Sequence, residues 1–166
     1  MGQFDGKVAI VTGASRGIGR AIAGSTAAVA RAGERAKALG AKRVIALQVS
    51  APFHCALMKP AEDRLAPELR AAASFDPRVP VVANVDAELK RTAADAIDAL
   101  IRQVSSPVRW EAVIRRLASE GVTAYVEVGP GTVLSGLVKK IARDATILNV
   151  QDPNDLAAVE ALFSPA

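Results

Sequence analysis

The feature that most constrains this chain is an alternation of short aliphatic runs with longer helix-forming segments, separated by glycine, proline and small polar residues. Hydrophobic residues make up 51% of the sequence but aromatic residues only 4%, so a core must be built mainly from Ala, Val, Leu and Ile. This combination predicts an α/β structure in which helices and short strands pack in layers. With 166 residues, the chain is long enough to bury such a core.

Local patterns place the individual elements. Aliphatic runs predict strands at 7–12, 43–49, 79–84, 124–128 and 146–150. Apolar residues at helical spacing and terminal signals predict helices at about 26–39, 61–73, 92–104, 108–119 and 133–143. Thr132 is a candidate cap for the last of these, and Asp152 followed by Pro153 predicts the start of a terminal helix.

The only histidine, His54, lies in the segment 50–55, between a predicted strand and a predicted helix. Imidazole is the side chain best suited to general acid–base chemistry near neutral pH. A lone histidine is nevertheless more often structural than catalytic, so its position alone leaves both interpretations open. Cys55 follows directly and is expected to be a buried structural thiol.

The formal net charge of +4 and the pI near 9.6 raise the question of a nucleic-acid partner. Basic residues are scattered among acidic ones, however, and aromatic residues do not interleave with them as a stacking surface would require. We therefore expect solvated helix faces and no nucleic-acid partner. An acidic protein or the phosphates of a cofactor would be equally suitable partners for the surplus positive charge.

Several other classes of protein are disfavoured. The apolar runs are too short to span a bilayer and the N-terminus lacks a signal-peptide pattern, so no membrane partner is expected. A single cysteine cannot form an internal disulfide and fits the reducing cytoplasm. Because no cysteine and histidine cluster has metal-ligand spacing, no metal site is predicted.

The first 23 residues contain a glycine-rich loop after a predicted strand. Glycines permit close backbone approach, and the free N–H groups of a following helix can hold a pyrophosphate. The candidate cofactor-binding residues are Gly13, Ser15, Arg16, Gly17 and Gly19. Residues 1–23 resemble the first strand, loop and helix of short-chain dehydrogenases/reductases, notably 3-oxoacyl-acyl-carrier-protein reductases. The resemblance implies that Ser15 and Arg16 bind the phosphates of NADP. The resemblance ends near Ala23. The tyrosine that this family has four residues before a lysine is also absent, since the only tyrosine, Tyr125, is followed at that spacing by Gly129.

A second resemblance covers roughly residues 24–166. It is carried by the blocks VSAPFHCALMKP (49–60), RQVSSPVRW (102–110) and EVGPGTVL (127–134). In this order and spacing they resemble the C-terminal portion of malonyl-CoA:acyl-carrier-protein transacylases. The resemblance implies an incomplete acyltransferase fold, namely part of an α/β-hydrolase-like core, with a short, mostly parallel sheet flanked by helices, and part of a ferredoxin-like subdomain.

The second resemblance also implies roles for individual residues. His54 would activate a serine for attack on the malonyl thioester, and the backbone carbonyl of Gln103 would fix the imidazole tautomer. Malonyl-CoA would be the substrate, acyl carrier protein the partner, and no cofactor would be required. The family's nucleophile lies in a Gly-x-Ser-x-Gly turn, and here only residues 13–17, within the reductase-like loop, fit that pattern. The isolated chain is therefore expected to be inactive.

Three hypotheses remain open from the sequence. The chain is a malonyltransferase of fatty-acid synthesis, an NADP-binding reductase-like protein, or a non-enzymatic chimeric fragment that binds acyl carrier protein. In addition, exposed apolar edges would allow the chain to associate with itself. The expected domain organisation is 1–23, reductase-like, and 24–166, transacylase-like. The third hypothesis uses basic helix positions, namely Arg115, Arg116, Lys139, Lys140 and Arg143.

Overall fold

A computed structural model describes residues 9–11, 26–42, 44–46, 53–72 and 74–162. The fold is α/β, and the chain divides into two compact units, Met1–Trp110 and Glu111–Ala166. The glycine-rich loop, with all five candidate cofactor-binding residues, lies outside the described residues. None of the helices in the described ranges has the length and apolar character needed to cross a bilayer.

The first unit begins with a strand–helix–strand arrangement. Strand β1 (Ala9–Val11) pairs in parallel with β2 (Val44–Ala46), and helix α1 (Thr26–Ala38) contacts both strands. Gly40 follows the helix with φ +92°, a conformation in which glycine has no Cβ penalty. The described parts of the predicted strands 7–12 and 43–49 therefore form a parallel pair.

The rest of the first unit combines two helices with a small antiparallel pair. A 3₁₀ turn (Ala56–Met58) leads into α2 (Lys59–Ala71), which begins two residues earlier than predicted and packs against α3 (Ala93–Arg102). The Oγ1 of Thr92 caps α3 by accepting a hydrogen bond from Asp95 N at 3.2 Å. Residues Ala83, Val85 and Ala99 form a buried cluster.

The sequence predicted one strand at 79–84, and the structure has two very short ones. Strand β3 (Val81–Val82) pairs antiparallel with β4 (Leu89–Lys90). A two-residue strand has no detectable alternation of apolar and polar residues, so β4 was missed. Between the strands, Ala87 adopts φ +60° and donates its backbone N–H to Ala83 O at 2.9 Å.

The second unit also contains a parallel strand pair with a connecting helix. Strand β5 (Ala124–Val128) pairs with β6 (Thr146–Val150), and α5 (Val133–Ile141) contacts both. Both strands have the bounds that the sequence predicted. Helix α4 (Trp110–Ser119) ends just before Gly121, which has φ +86°.

The chain continues through a capped turn into a short helix. The predicted cap Asp152 forms a capping box with Asp155 at the start of a 3₁₀ helix (Pro153–Asp155), and α6 (Leu156–Glu160) follows. The prediction for Thr132 is wrong in mechanism, because it occupies the N-cap position of α5 but its side chain makes no capping hydrogen bond. The carboxylate of Glu127, in β5, accepts hydrogen bonds from the first turn of α5 instead.

Candidate active site

His54 lies in a turn directly before the 3₁₀ segment that leads into α2. Its backbone φ is +58°, a left-handed conformation that costs a residue with a side chain roughly 1–2 kcal/mol. Such a conformation persists only where surrounding interactions hold it. Beside it, Phe53 is 39% exposed whereas Cys55 is only 5% exposed, as expected for a structural thiol.

Two hydrogen bonds join His54 to the C-terminal end of α3. The imidazole Nδ1 lies 3.0 Å from the backbone oxygen of Gln103, and the backbone N–H of His54 donates to Val104 O at 3.3 Å. Gln103 is the C-cap residue of α3, and carbonyl groups at a helix end lack partners within the helix. The structure therefore brings together the histidine and the carbonyl that the family resemblance implies as partners.

The contact with Gln103 determines which ring nitrogen of His54 can act as a base. A carbonyl oxygen only accepts hydrogen bonds, so Nδ1 must carry the hydrogen. In the neutral ring, Nε2 is then left with its lone pair. The arrangement can accept a proton at Nε2 from a nearby hydroxyl or thiol and return it later.

Glu62 and Ser105 form a second connection close to this bond, and the sequence patterns indicated a role for neither. Glu62 lies on α2, is 6% exposed, and its Oε2 accepts a hydrogen bond from the Ser105 hydroxyl. Its Oε1 accepts a hydrogen bond from Lys59 Nζ at 2.5 Å. Lys59 first and Ser105 second lower the pKa of Glu62, so the carboxylate stays ionised. A contact between residues 43 apart leaves no local pattern by which the sequence could have revealed it.

The third sequence block lies in the second unit and forms its own network. The carboxylate of Glu127 accepts hydrogen bonds from Leu134 N at 3.1 Å and Ser135 N at 2.7 Å, at the start of α5. Asn149 Nδ2 donates to the same carboxylate at 3.1 Å. The Ser135 side chain first, and then the backbone N–H groups of Ser135 and Leu134 and the Asn149 amide, lower the pKa of Glu127 by hydrogen bonding to its carboxylate. A negative charge at a helix N-terminus is favourable, so Glu127 fixes the glycine turn to the helix that follows it.

Gly129 and Gly131, in the same block, have φ values of +123° and +94°. Both values favour glycine over any residue with a side chain. Gly129 donates its N–H to Val150 O at 2.9 Å, and Gly131 donates to Gln151 Oε1 at 2.9 Å. The turn is thus tied to the end of β6.

The basic positions singled out in the sequence all lie in the second unit. On α4, Arg115 forms an ion pair with Glu111 at 2.7 Å and Arg116 forms one with Glu120 at 2.9 Å. The other three are exposed: Lys139 and Lys140 lie in the last turn of α5, and Arg143 lies shortly after it. Within the described ranges, no three His, Cys, Asp or Glu side chains are grouped so that they could hold a metal ion.

The chain is similar to several proteins of known activity. It is 50% identical over 138 residues to the malonyl CoA-acyl carrier protein transacylase of Escherichia coli (strain K12), covering 82% of this chain and 44% of that protein. The corresponding protein of Bacillus subtilis (strain 168) is 48% identical over 135 residues, or 81% of this chain and 43% of that protein. No protein-family model matches the chain.

Solved structures give the same result for the fold. An acyl carrier protein S-malonyltransferase from Vibrio cholerae is similar with a TM-score of 0.76 and 45% identity, over 82% of this chain and 44% of that one. A malonyl-transacylase in complex with its type II PKS acyl-carrier protein is similar with a TM-score of 0.76 and 44% identity, over 81% of this chain and 44% of that one. The chain spans less than half the length of each of these relatives.

Proposed function

Because about four-fifths of this chain matches malonyl CoA-acyl carrier protein transacylases in sequence and fold, we propose that it supplies the histidine-bearing part of a malonyl-CoA:acyl-carrier-protein transacylase of fatty-acid synthesis. His54 is the general base of this site. The observation that carries the proposal is the bond between His54 Nδ1 and Gln103 O, which leaves Nε2 available for proton transfer.

The proposed reaction is an acyl transfer between two thiols in two balanced steps. A serine hydroxyl gives its proton to Nε2 as its oxygen attacks the malonyl thioester, and the coenzyme A thiol leaves with that proton. In the second step the thiol of acyl carrier protein gives a proton to Nε2 and attacks the malonyl-serine ester. The serine oxygen then recovers the proton. The chain's own residues provide the base and its orientation, and no cofactor enters either step.

The nucleophile of this scheme has no Gly-x-Ser-x-Gly motif in residues 24–166. Only residues 13–17 fit the Gly-x-Ser-x-Gly pattern, and their neighbours resemble a reductase loop. We infer that Ser15 is not the nucleophile and that the isolated chain holds the base without a complete site. A polypeptide that carries the serine elbow would complete it.

The finer architecture is also a proposal. We infer that residues 24–166 are the C-terminal part of an acyltransferase domain and that residues 1–23 are a reductase-like segment, whose strand β1 pairs with β2 of the following region. The parallel pair β5 and β6 with helix α5 is compatible with part of an α/β-hydrolase-like core. The antiparallel pair β3 and β4 beside α3 is compatible with part of a ferredoxin-like subdomain.

Acyl carrier protein is the proposed partner, and the compartment is the cytoplasm. Lys139 and Lys140 are exposed in the last turn of α5 and would attract an acidic carrier protein. Binding through them should weaken as salt increases. The single cysteine, Cys55, is buried, which agrees with a reducing compartment.

The proposed function is tested with a chimera in which this chain's matching region replaces the corresponding part of the Escherichia coli transacylase. We expect the isolated chain to form no malonyl adduct with malonyl-CoA, as judged by intact mass. The chimera should transfer malonyl groups to acyl carrier protein, and His54→Ala should lower its rate by about a hundredfold or more. A folded chimera that is inactive, or one that His54→Ala leaves unchanged, would overturn the proposal.

The NADP-binding alternative rests on residues 1–23 alone. It predicts a saturable change in NADPH fluorescence on titration with the chain, and Arg16→Ala should weaken that binding because a phosphate contact is lost. Absence of saturable binding would remove this alternative.

A further inference from the structure

We propose that Glu62 and Ser105 form a clasp that positions His54, an inference that deepens the proposed function and rests on it. The clasp is the hydrogen bond from the Ser105 hydroxyl to the Glu62 carboxylate. Neither side chain is assigned a contact with the reacting atoms. Both act through the turn that holds the imidazole.

Three consecutive residues after α3 hold the His54 segment. Gln103 O accepts a hydrogen bond from the imidazole, Val104 O accepts one from the His54 backbone N–H, and Ser105 Oγ donates one to Glu62. Glu62 lies on α2, which follows His54 in the chain. The contacts therefore link two segments of the chain at both ends, one segment from His54 to Glu62 and the other from Gln103 to Ser105.

These links matter because both segments contain backbone that lies outside regular secondary structure. Helix α3 ends at Arg102, so the carbonyls of Gln103 and Val104 project from a turn beyond the helix. His54 has φ +58°, which is unfavourable for a residue with a side chain. A single imidazole–carbonyl bond adds little net stability, because the same groups would otherwise bond to water, so a further constraint is needed to hold this geometry.

The clasp is suited to supply that constraint. A hydroxyl donating to a carboxylate is a charge-assisted bond, stronger than one between neutral groups. Glu62 is buried and paired on its other oxygen by Lys59. A buried carboxylate that loses a hydrogen-bond donor is destabilised. The bond between Glu62 and Ser105 therefore holds α2 and the turn after α3 in a fixed relative position.

The alternative is that the bond merely joins two segments of the chain and adds stability. The two roles differ in one observable, the distribution of the neutral imidazole between its two tautomers. A positioning role predicts that loss of the clasp weakens the bond to Gln103 and admits the tautomer with hydrogen on Nε2. A purely structural role would lower stability without altering the tautomer.

Because His54 is the only histidine, the test can be made on the whole chain with labelled imidazole nitrogens. Long-range proton–nitrogen NMR spectra, recorded where the ring is neutral, report the ratio of the two tautomers. We expect the Nδ1-protonated form to dominate in the unmodified chain. Ser105→Ala should lower its ratio to the other form about tenfold, equivalent to about 1.4 kcal/mol. Ser105→Thr should restore the ratio by restoring the hydroxyl.

Asp63→Asn is the matched control. Asp63 is the neighbour of Glu62 on α2, is paired with the same Lys59 at 3.0 Å and has a side chain that is 64% exposed. Its substitution should leave the tautomer ratio unchanged. The inference is overturned if Ser105→Ala, folded as judged by circular dichroism, keeps the ratio of the unmodified chain. It is also overturned if Ser105→Ala unfolds while Ser105→Thr folds with an altered ratio. The measurement needs neither nucleophile nor substrate, so its result stands apart from that of the malonyl-transfer assay.

Discussion

Asp86 connects the turn between β3 and β4 to the end of α3, and replacing it by Asn should lower the stability of the first unit. One carboxylate oxygen accepts hydrogen bonds from Lys90 Nζ at 2.9 Å and Arg102 Nη2 at 3.0 Å. The other accepts from Glu88 N at 3.1 Å. In Asp86→Asn the side-chain amide would keep an acceptor for the backbone N–H but would lose the charge that both cations face.

The magnitude follows from the pKa of Asp86. Burial by itself raises this pKa, but the hydrogen bonds from Lys90 and Arg102 outweigh it and lower the pKa to about 2, from 3.8. This difference corresponds to about 2–3 kcal/mol at neutral pH. The side chain of Arg102 is 42% exposed, so solvent screens part of the attraction and we expect Asp86→Asn to cost about 1–2 kcal/mol.

The pH dependence has a definite sign. Asp86 has a lower pKa in the folded chain than in the unfolded chain, so its contribution is complete above about pH 5 and is lost as the pH falls towards about 2. Urea unfolding followed by circular dichroism should therefore give a smaller difference between the unmodified chain and Asp86→Asn at about pH 3 than at about pH 7. About half of the contribution should be gone at the lower pH.

Asp98→Asn is the matched control, because Asp98 is also paired with Arg102, at 2.6 Å, but its side chain is 59% exposed. An exposed helix pair is worth about 0.5 kcal/mol or less. Equal effects of the two substitutions at neutral pH would refute this account of Asp86, and so would an effect of Asp86→Asn that is the same at both pH values.

Three further experiments test individual contacts. Glu127→Gln should lower the thermal midpoint clearly more than Thr132→Ala does, because only the carboxylate bonds the first turn of α5; equal shifts in a melting experiment would contradict this. Thr92→Ala removes the cap of α3 and should reduce the urea-derived free energy of unfolding by about 1 kcal/mol, whereas no reduction would show that the cap bond is not formed. Gln103→Ala keeps the carbonyl that bonds His54, so the imidazole tautomer in NMR spectra should not change; a change would mean that the Gln103 side chain is needed.

The elements that the sequence predicted best are those whose signals are local. Strands β5 and β6 have the predicted bounds because each is a run of five largely apolar residues between turn residues. Asp152 was correctly predicted as a cap because capping joins groups two or three residues apart. The α/β class likewise followed from alternation along the chain.

The contacts that the sequence did not reveal are those set by tertiary structure. Thr132 had the right residue type and position for a cap, yet Glu127 from the adjacent strand bonds the helix start instead. The pairing of Glu62 with Ser105 spans 43 residues and follows no periodicity. The meeting of His54 with Gln103 was expected only from resemblance, since no rule of spacing relates a histidine to a carbonyl 49 residues away.

Backbone carbonyl groups bond His54 directly, whereas the side chains of Glu62 and Ser105 act on it only through the surrounding turn. The ring and the backbone N–H of His54 are both met by carbonyl oxygens, at Gln103 and Val104, and every amino acid at these positions would supply the same acceptors. The path of the turn, by contrast, depends on the side chains of Glu62 and Ser105. Substitution at Gln103 or Val104 should therefore preserve the bonds to His54, whereas substitution at Glu62 or Ser105 should disturb them. Two side chains that do not touch the imidazole, those of Glu62 and Ser105, are accordingly expected to influence its tautomer more than the side chain of Gln103 does.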